Sequence, residues 1–185
     1  MGRLICSAIA SIDGYTVDSS GSFDWAQPDE EVHTFVNDRE GDIGTYLYGR
    51  RMYETMRVWQ DLGDSEEPVV ADYAAVWQHA EKVVFSSTLS EVTTPKTRLL
   101  SRFDPEEVRR LVADADHDVS IGGPTLAAAA FAAGLVDEVR LFLVPVAVGG
   151  GTPALPQGQF LRLRLLEERA FGGGTLGLHY AVETS

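Results

Sequence analysis

Three short segments carry residues whose types and spacing suit the binding of an anion. They are Leu47-Tyr48-Gly49-Arg50-Arg51-Met52, Phe85-Ser86-Ser87-Thr88 and Ile121-Gly122-Gly123-Pro124-Thr125-Leu126. Each begins in an apolar run of strand length and continues through glycine, arginine or hydroxyl side chains. Glycine lets backbone approach a phosphate closely, and the free N–H groups of a helix start favour negative charge. Arginine pairs with phosphate through two parallel hydrogen bonds. Taken singly, each segment reads equally well as a tight turn with solvated side chains. Three of them at one sheet edge point to a nucleotide site. Neither the G-x-G-x-x-G nor the Walker pattern occurs, so the standard nucleotide fingerprints do not apply.

The acid best placed for proton chemistry is Asp13, which follows an apolar run and precedes Gly14 and Tyr15. Burial there would raise its pKa toward the range useful for proton transfer. As a plain turn residue it would instead cap its own loop. Trp25 precedes Pro28-Asp29-Glu30-Glu31, acids that otherwise read as a solvated first helical turn. His33, His79, His117 and His179 show no ligand spacing, and the single cysteine, Cys6, reads as a small buried hydrophobe, so no metal site is expected.

Aligning these segments requires a sheet whose strands end together. Strand patterns cover residues 4–12, 45–48, 82–86, 118–121 and 136–148. Helical patterns open at Pro28 and cover 50–57, 72–79, 105–114 and 125–133, the last closed by Gly134. Residues 161–168 and 176–183 alternate with a period of two around Gly172-Gly173-Gly174, which predicts a C-terminal hairpin. Strands alternating with helices imply a three-layer α/β fold: a mainly parallel central sheet, helices on both faces and an antiparallel edge.

The chain has 185 residues, 44% of them hydrophobic and 23% charged, enough for one folded domain over 1–185. With 15 Lys+Arg against 28 Asp+Glu the net charge is -13, which disfavours nucleic acid and anionic membrane as partners. One cysteine allows no internal disulfide, and the apolar run before Asp13 is too short for a signal peptide or a membrane span, so a cytoplasmic location is expected.

In this order the segments resemble the dihydrofolate-reductase-like superfamily. Within it they resemble the reductase domain of the bifunctional riboflavin-biosynthesis deaminase-reductase and its stand-alone relatives. Ser11-Ile12-Asp13-Gly14-Tyr15, the three segments above, and the run from Gly134-Leu135-Val136-Asp137-Glu138 through Val144-Pro145-Val146 to Gly149-Gly150-Gly151 carry the likeness. The deaminase zinc signature, H-x-E with P-C-x-x-C, does not occur. The resemblance implies NADPH as hydride donor and a small heterocycle or carbonyl compound as substrate. By that likeness Gly49, Arg50, Arg51 and Met52 would meet the phosphates, with Arg50 or Arg51 on the 2′-phosphate. Ser86, Ser87 and Thr88 would line the adenosine side, and Ile121, Gly122, Gly123, Pro124, Thr125 and Leu126 would hold the pyrophosphate. Ala8 and Val148-Gly149-Gly150 would border the nicotinamide. Asp13, the catalytic candidate, would contact substrate together with Gly14, Tyr15 and Trp25. A homodimer is expected on the same ground. Two other readings stand beside this one: a nucleotide-binding sensor or scaffold without turnover, and a true dihydrofolate reductase.

Overall fold

The computed structural model describes residues 2–183, so Met1, Thr184 and Ser185 of the expected 1–185 domain lie outside the described residues. In chain order the strands are β1 (Leu4–Ser11), β2 (Tyr15–Asp18), β3 (Ile43–Gly49), β4 (Glu81–Phe85), β5 (Thr97–Leu100), β6 (Asp118–Gly122), β7 (Glu138–Val144), β8 (Gly151–Pro153), β9 (Arg162–Ala170) and β10 (Leu176–Glu183). The helices are α1 (Glu30–Glu40), α2 (Arg50–Met56), α3 (Pro68–His79), α4 (Pro105–Asp114) and α5 (Pro124–Ala132). Eight strands form one sheet in the order β5-β4-β3-β6-β1-β7-β10-β9, while β2 and β8 pair separately. From β5 to β7 every neighbouring pair is parallel, and β10 is antiparallel to both β7 and β9.

The inner strands are buried on both faces, which explains their nearly continuous apolar runs. Leu4, Cys6, Leu47, Val83 and Phe85 face a core shared with Val108 of α4 and with Leu126, Ala127, Ala130 and Phe131 of α5. Ile5, Tyr46, Tyr48 and Val84 face the opposite core, with Tyr53 of α2 and Tyr73 and Trp77 of α3. The alanine-rich face of α5 is therefore used within this chain. Trp77 is fully buried, donates its indole N–H to the Tyr48 hydroxyl at 3.2 Å, and stacks under the buried Lys82 ammonium. Burial pushes the Cys6 thiol up to about 12, so it is an unreactive core residue.

The starts of α1 and α4 carry the capping signals seen in the sequence, while α3 begins at Pro68, before the expected 72–79. Asp29 caps α1 by accepting the Val32 N–H, and Asp104 caps α4 by accepting the Glu106 N–H. Three strands escape the sequence patterns: β2, β8 and β5 have only three or four residues each. The strand pattern over 136–148 resolves to β7 alone, because Pro145 has no N–H to continue the ladder. β8 lies so close to β2 that a Cβ on Gly151 would collide with the Val17 carbonyl oxygen. Among the described residues no helix is long and apolar enough to cross a membrane.

Candidate nucleotide and active site

Parallel register sets strand ends side by side. Gly49 of β3 stands opposite Phe85 of β4, Tyr48 opposite Gly122 of β6, and Ser11 of β1 opposite Val144 of β7. The three segments singled out in the sequence thus share one edge of the sheet, where open parallel sheets bind ligands.

The β3 end passes through Gly49, the N-cap of α2, directly into Arg50 and Arg51. The Arg50 guanidinium donates to Glu54 Oε1 at 2.8 Å and to Thr88 Oγ1 at 3.1 Å. It therefore ties the loop after β4 to the start of α2. Ser86 fixes that loop by accepting the Thr88 and Leu89 N–H groups at 3.2 and 3.1 Å, and Ser87 is exposed on it. Arg51 is exposed, and its guanidinium makes no ion pair among the described residues.

At the end of β6, Ile121 is buried and the chain turns at Gly122 and Gly123. A Cβ on Gly122 would stand 3.1 Å from the Tyr48 ring and 3.2 Å from the Met52 side chain. Gly123 has φ +98, a left-handed conformation that suits glycine. It is the N-cap of α5, and no side chain caps that helix. Pro124 at the first helical position gives up an N–H that no intrahelical acceptor needs. The first turn at Thr125 and Leu126 leaves its N–H groups open to an anion. Leu126 Cβ lies 3.9 Å from where a Gly49 Cβ would be, so the starts of α2 and α5 converge.

On the other half of the edge, Ala8 pairs with Leu141 inside the sheet, and Ser11 is fully buried. Asp13 corrects one expectation. It is exposed rather than buried, and its carboxylate accepts the Val148 N–H at 3.1 Å and the Gly149 N–H at 2.8 Å. The Ser11 hydroxyl first, and these N–H groups after it, hold the Asp13 carboxyl below its ordinary value instead of raising it. Asp13 is an anchor that ties the loop after β7 to the end of β1, and it stays charged at neutral pH. Gly149 and Gly150 turn that loop at φ +75 and +154.

Gly14 (φ +90) and Tyr15 lead from Asp13 into β2, where the Tyr15 N–H donates to Ser11 Oγ at 3.0 Å. Trp25 lies in a short 3-10 turn, Asp24–Ala26, and gives its indole N–H to the Ser22 carbonyl at 3.2 Å. The acids starting α1, Asp29, Glu30 and Glu31, are exposed, as a solvated first turn requires. Asp29 caps the helix, while Glu31 accepts from Arg169 at 3.2 Å and from the Gly172 N–H at 2.9 Å. Reading the sequence missed Glu54 as a supporting residue, although it leaves a signal, four residues beyond Arg50 on one helix.

The sequence matches the family model for the RibD C-terminal domain over residues 3–176. It is 29% identical over 184 residues to the Bacillus subtilis (strain 168) protein YyaP, covering 96% of this chain and 94% of that protein. Among solved structures, a protein of Shewanella sp. PV-4 named for riboflavin biosynthesis superposes with a TM-score of 0.77 at 19% identity, over 98% of this chain and 99% of that one. A diaminohydroxyphosphoribosylaminopyrimidine deaminase/5-amino-6-(5-phosphoribosylamino)uracil reductase of Thermotoga maritima superposes at 0.69 and 13% identity, over 98% of this chain and 56% of that longer one.

Proposed function

The chain belongs to the RibD C-terminal domain family, and from that premise we propose that it is an NADPH-dependent reductase of a small heterocycle with a C=N or C=O bond. The family and its structural neighbours support a reductase of the riboflavin-pathway type. The observation that carries the cofactor is the convergence of Gly49, Arg51 and the uncapped start of α5 at the joined ends of β3 and β6. In a chain of net charge -13, arginines and helix N–H groups meeting at one place make a local site for a polyanion.

The residues present fit such a cofactor. Gly122 and Gly123 would bring backbone close to the pyrophosphate, the first turn of α5 would donate to it, and the exposed Arg51 would meet the 2′-phosphate. Arg50, through Thr88, holds the Ser86–Thr88 loop that would border the adenosine. When bound, the reduced nicotinamide supplies a hydride with its electron pair to the C=N or C=O carbon, and water supplies the proton to the nitrogen or oxygen. Asp13 positions the Val148–Gly149 backbone at the β1–β7 end of the edge, and Gly14, Tyr15 and Trp25 would border the substrate.

Because Asp13 is held as a carboxylate, a binding protein without turnover is a second reading. Thermal unfolding with NADPH tests the first step common to both. At ~100 times the dissociation constant a ligand stabilises by about 2.7 kcal/mol, or roughly 5–11 °C for a chain of this size. No shift at millimolar NADPH removes both readings; a shift without NADPH oxidation across pterins, pyrimidines and quinones leaves only the second. We also propose a homodimer: β9 is one of the two edge strands of the sheet, and Phe160, Leu165 and Leu166 are exposed at or beside it.

A further inference from the structure

Charge is divided across the binding edge. Residues 5–38 contain no lysine or arginine and seven acids: Asp13, Asp18, Asp24, Asp29, Glu30, Glu31 and Asp38. Residues 141–153 contain no charged side chain. These two stretches build everything around the ends of β1 and β7, namely β2, β8, the Trp25 turn, the start of α1 and the Val148–Gly149 loop. Cations on the other half include Arg50 and Arg51 after β3 and Arg102 after β5. His33 is the one base within 5–38, and burial lowers its pKa, so it adds no charge at neutral pH. Arg169 approaches from β9 but is paired with Glu31 and lies over the Phe35 and Phe171 rings.

The same half of the edge exposes large apolar side chains. Ile12 is 52% exposed, Phe23 48% and Val146 36%. Ile12 and Val146 are adjoined, the Ile12 N–H donating to the Val146 carbonyl at 2.9 Å. Apolar side chains grouped at the mouth of a site mark a contact surface for an apolar ligand.

We propose that the β1–β7 end of this edge takes an uncharged or cationic apolar ring compound that carries no phosphate. The inference rests on the reductase reading and deepens it. It separates this chain from the Thermotoga maritima relative, whose named substrate carries a phosphoribosyl group. A phosphate at the β1–β7 end would meet the exposed carboxylates Asp13, Asp24 and Glu30, with no lysine or arginine in residues 5–38 or 141–153 to offset them and with Arg169 already paired with Glu31.

The test uses the full chain with matched probes that differ only by phosphate: riboflavin against riboflavin 5′-phosphate, and 5-amino-6-ribitylaminouracil against its 5′-phosphate. Menadione serves as a phosphate-free apolar ring. Dissociation constants are measured with and without saturating NADPH. We expect at least one phosphate-free probe to bind, and each that binds to exceed its phosphorylated partner by ~10-fold or more. In the double variant Asp24→Lys, Glu30→Lys that ratio should fall at least threefold while the NADPH dissociation constant stays unchanged. Tighter binding of the phosphorylated probes, binding of none of the probes, or an unchanged ratio in the variant overturns the proposal. Failure of NADPH to bind overturns the reductase reading instead, and it leaves the probe ratios measured without cofactor standing on their own.

Discussion

Arg50 and Arg51 are adjacent and chemically identical, yet the structure gives them different work. The Arg50 guanidinium is already shared between Glu54 at 2.8 Å and Thr88 at 3.1 Å, whereas Arg51 is exposed and without an ion pair among the described residues. On the proposed NADPH reading, Arg51 is therefore the residue assigned to the 2′-phosphate that distinguishes NADPH from NADH. A hydrogen bond to a charged group contributes about 1.5–3 kcal/mol. At an exposed position the lower end applies, and 1.4 kcal/mol is tenfold in affinity, so Arg51→Gln should weaken NADPH by about tenfold. NADH, which lacks that phosphate, should change by less than about twofold. The difference should shrink between roughly 0.05 and 0.5 M salt, as screening shortens the reach of an exposed charge. Nucleotide fluorescence titrations of the wild type and Arg51→Gln, with both nucleotides at both salt concentrations, measure this directly. Arg50→Gln should weaken both nucleotides together, because it releases the Ser86–Thr88 loop. Equal losses for NADPH and NADH in Arg51→Gln, or discrimination lost through Arg50 instead, would refute the division of labour.

Three further outcomes follow from the same contacts. Asp13, held below its ordinary value of 3.8, contributes stability that is present above that pH and lost as pH falls through its folded pKa. Asp13→Ala should therefore unfold below the wild type by a constant margin from pH 8 to pH 5, with the gap closing only below about 3.8; a gap that closes by pH 6 would show a raised pKa. Glu40 has the opposite sign. Burial raises it above 4.5, and the Tyr46 hydroxyl at 3.0 Å and the Arg140 charge offset only part of that. Its contribution is full below 4.5 and declines as pH rises through the folded value, so Glu40→Gln, which keeps an acceptor for Tyr46, should unfold at a higher temperature than the wild type at pH 8 and at an equal one near pH 4.5. A less stable variant at pH 8 would contradict this. In sedimentation the 20.1 kDa chain should run as a dimer, and Leu165→Lys with Leu166→Lys on β9 should give monomers; a monomeric wild type at tens of micromolar would refute pairing through this edge.

Much of the positioning framework is legible in the sequence because it is local. The β1, β3, β4 and β6 runs are apolar since both sheet faces are buried, and Asp29 and Asp104 announce their helices through the caps they make. Gly49-Arg50-Arg51 and Gly122-Gly123-Pro124 are visible as strand-to-helix turns, and parallel register then sets them side by side. What could not be read depends on distant partners. The Asp13 carboxyl is held down first by the Ser11 hydroxyl, two residues away, and then by the N–H groups of Val148 and Gly149, 135 and 136 residues further on, which a reading from its neighbours does not supply. β2 and β8 each have too few residues to show a period and are held by one another, with Gly151 permitting the close approach. β5 is a four-residue strand containing Arg98, whose pairing with β4 leaves no trace in composition. The unequal roles of Arg50 and Arg51 depend on Thr88, 38 residues from Arg50.

The central claim is that a reduced dinucleotide binds across the joined ends of β3, β4 and β6 and reaches the β1–β7 end. Hydrogen exchange with and without saturating NADPH tests it most directly. Slowed exchange should be confined to peptides covering residues 48–52, 86–89, 122–127 and 146–150, with α4 and the β9–β10 hairpin unchanged. Protection centred on the hairpin or α4, or no protection at saturating NADPH, would contradict it.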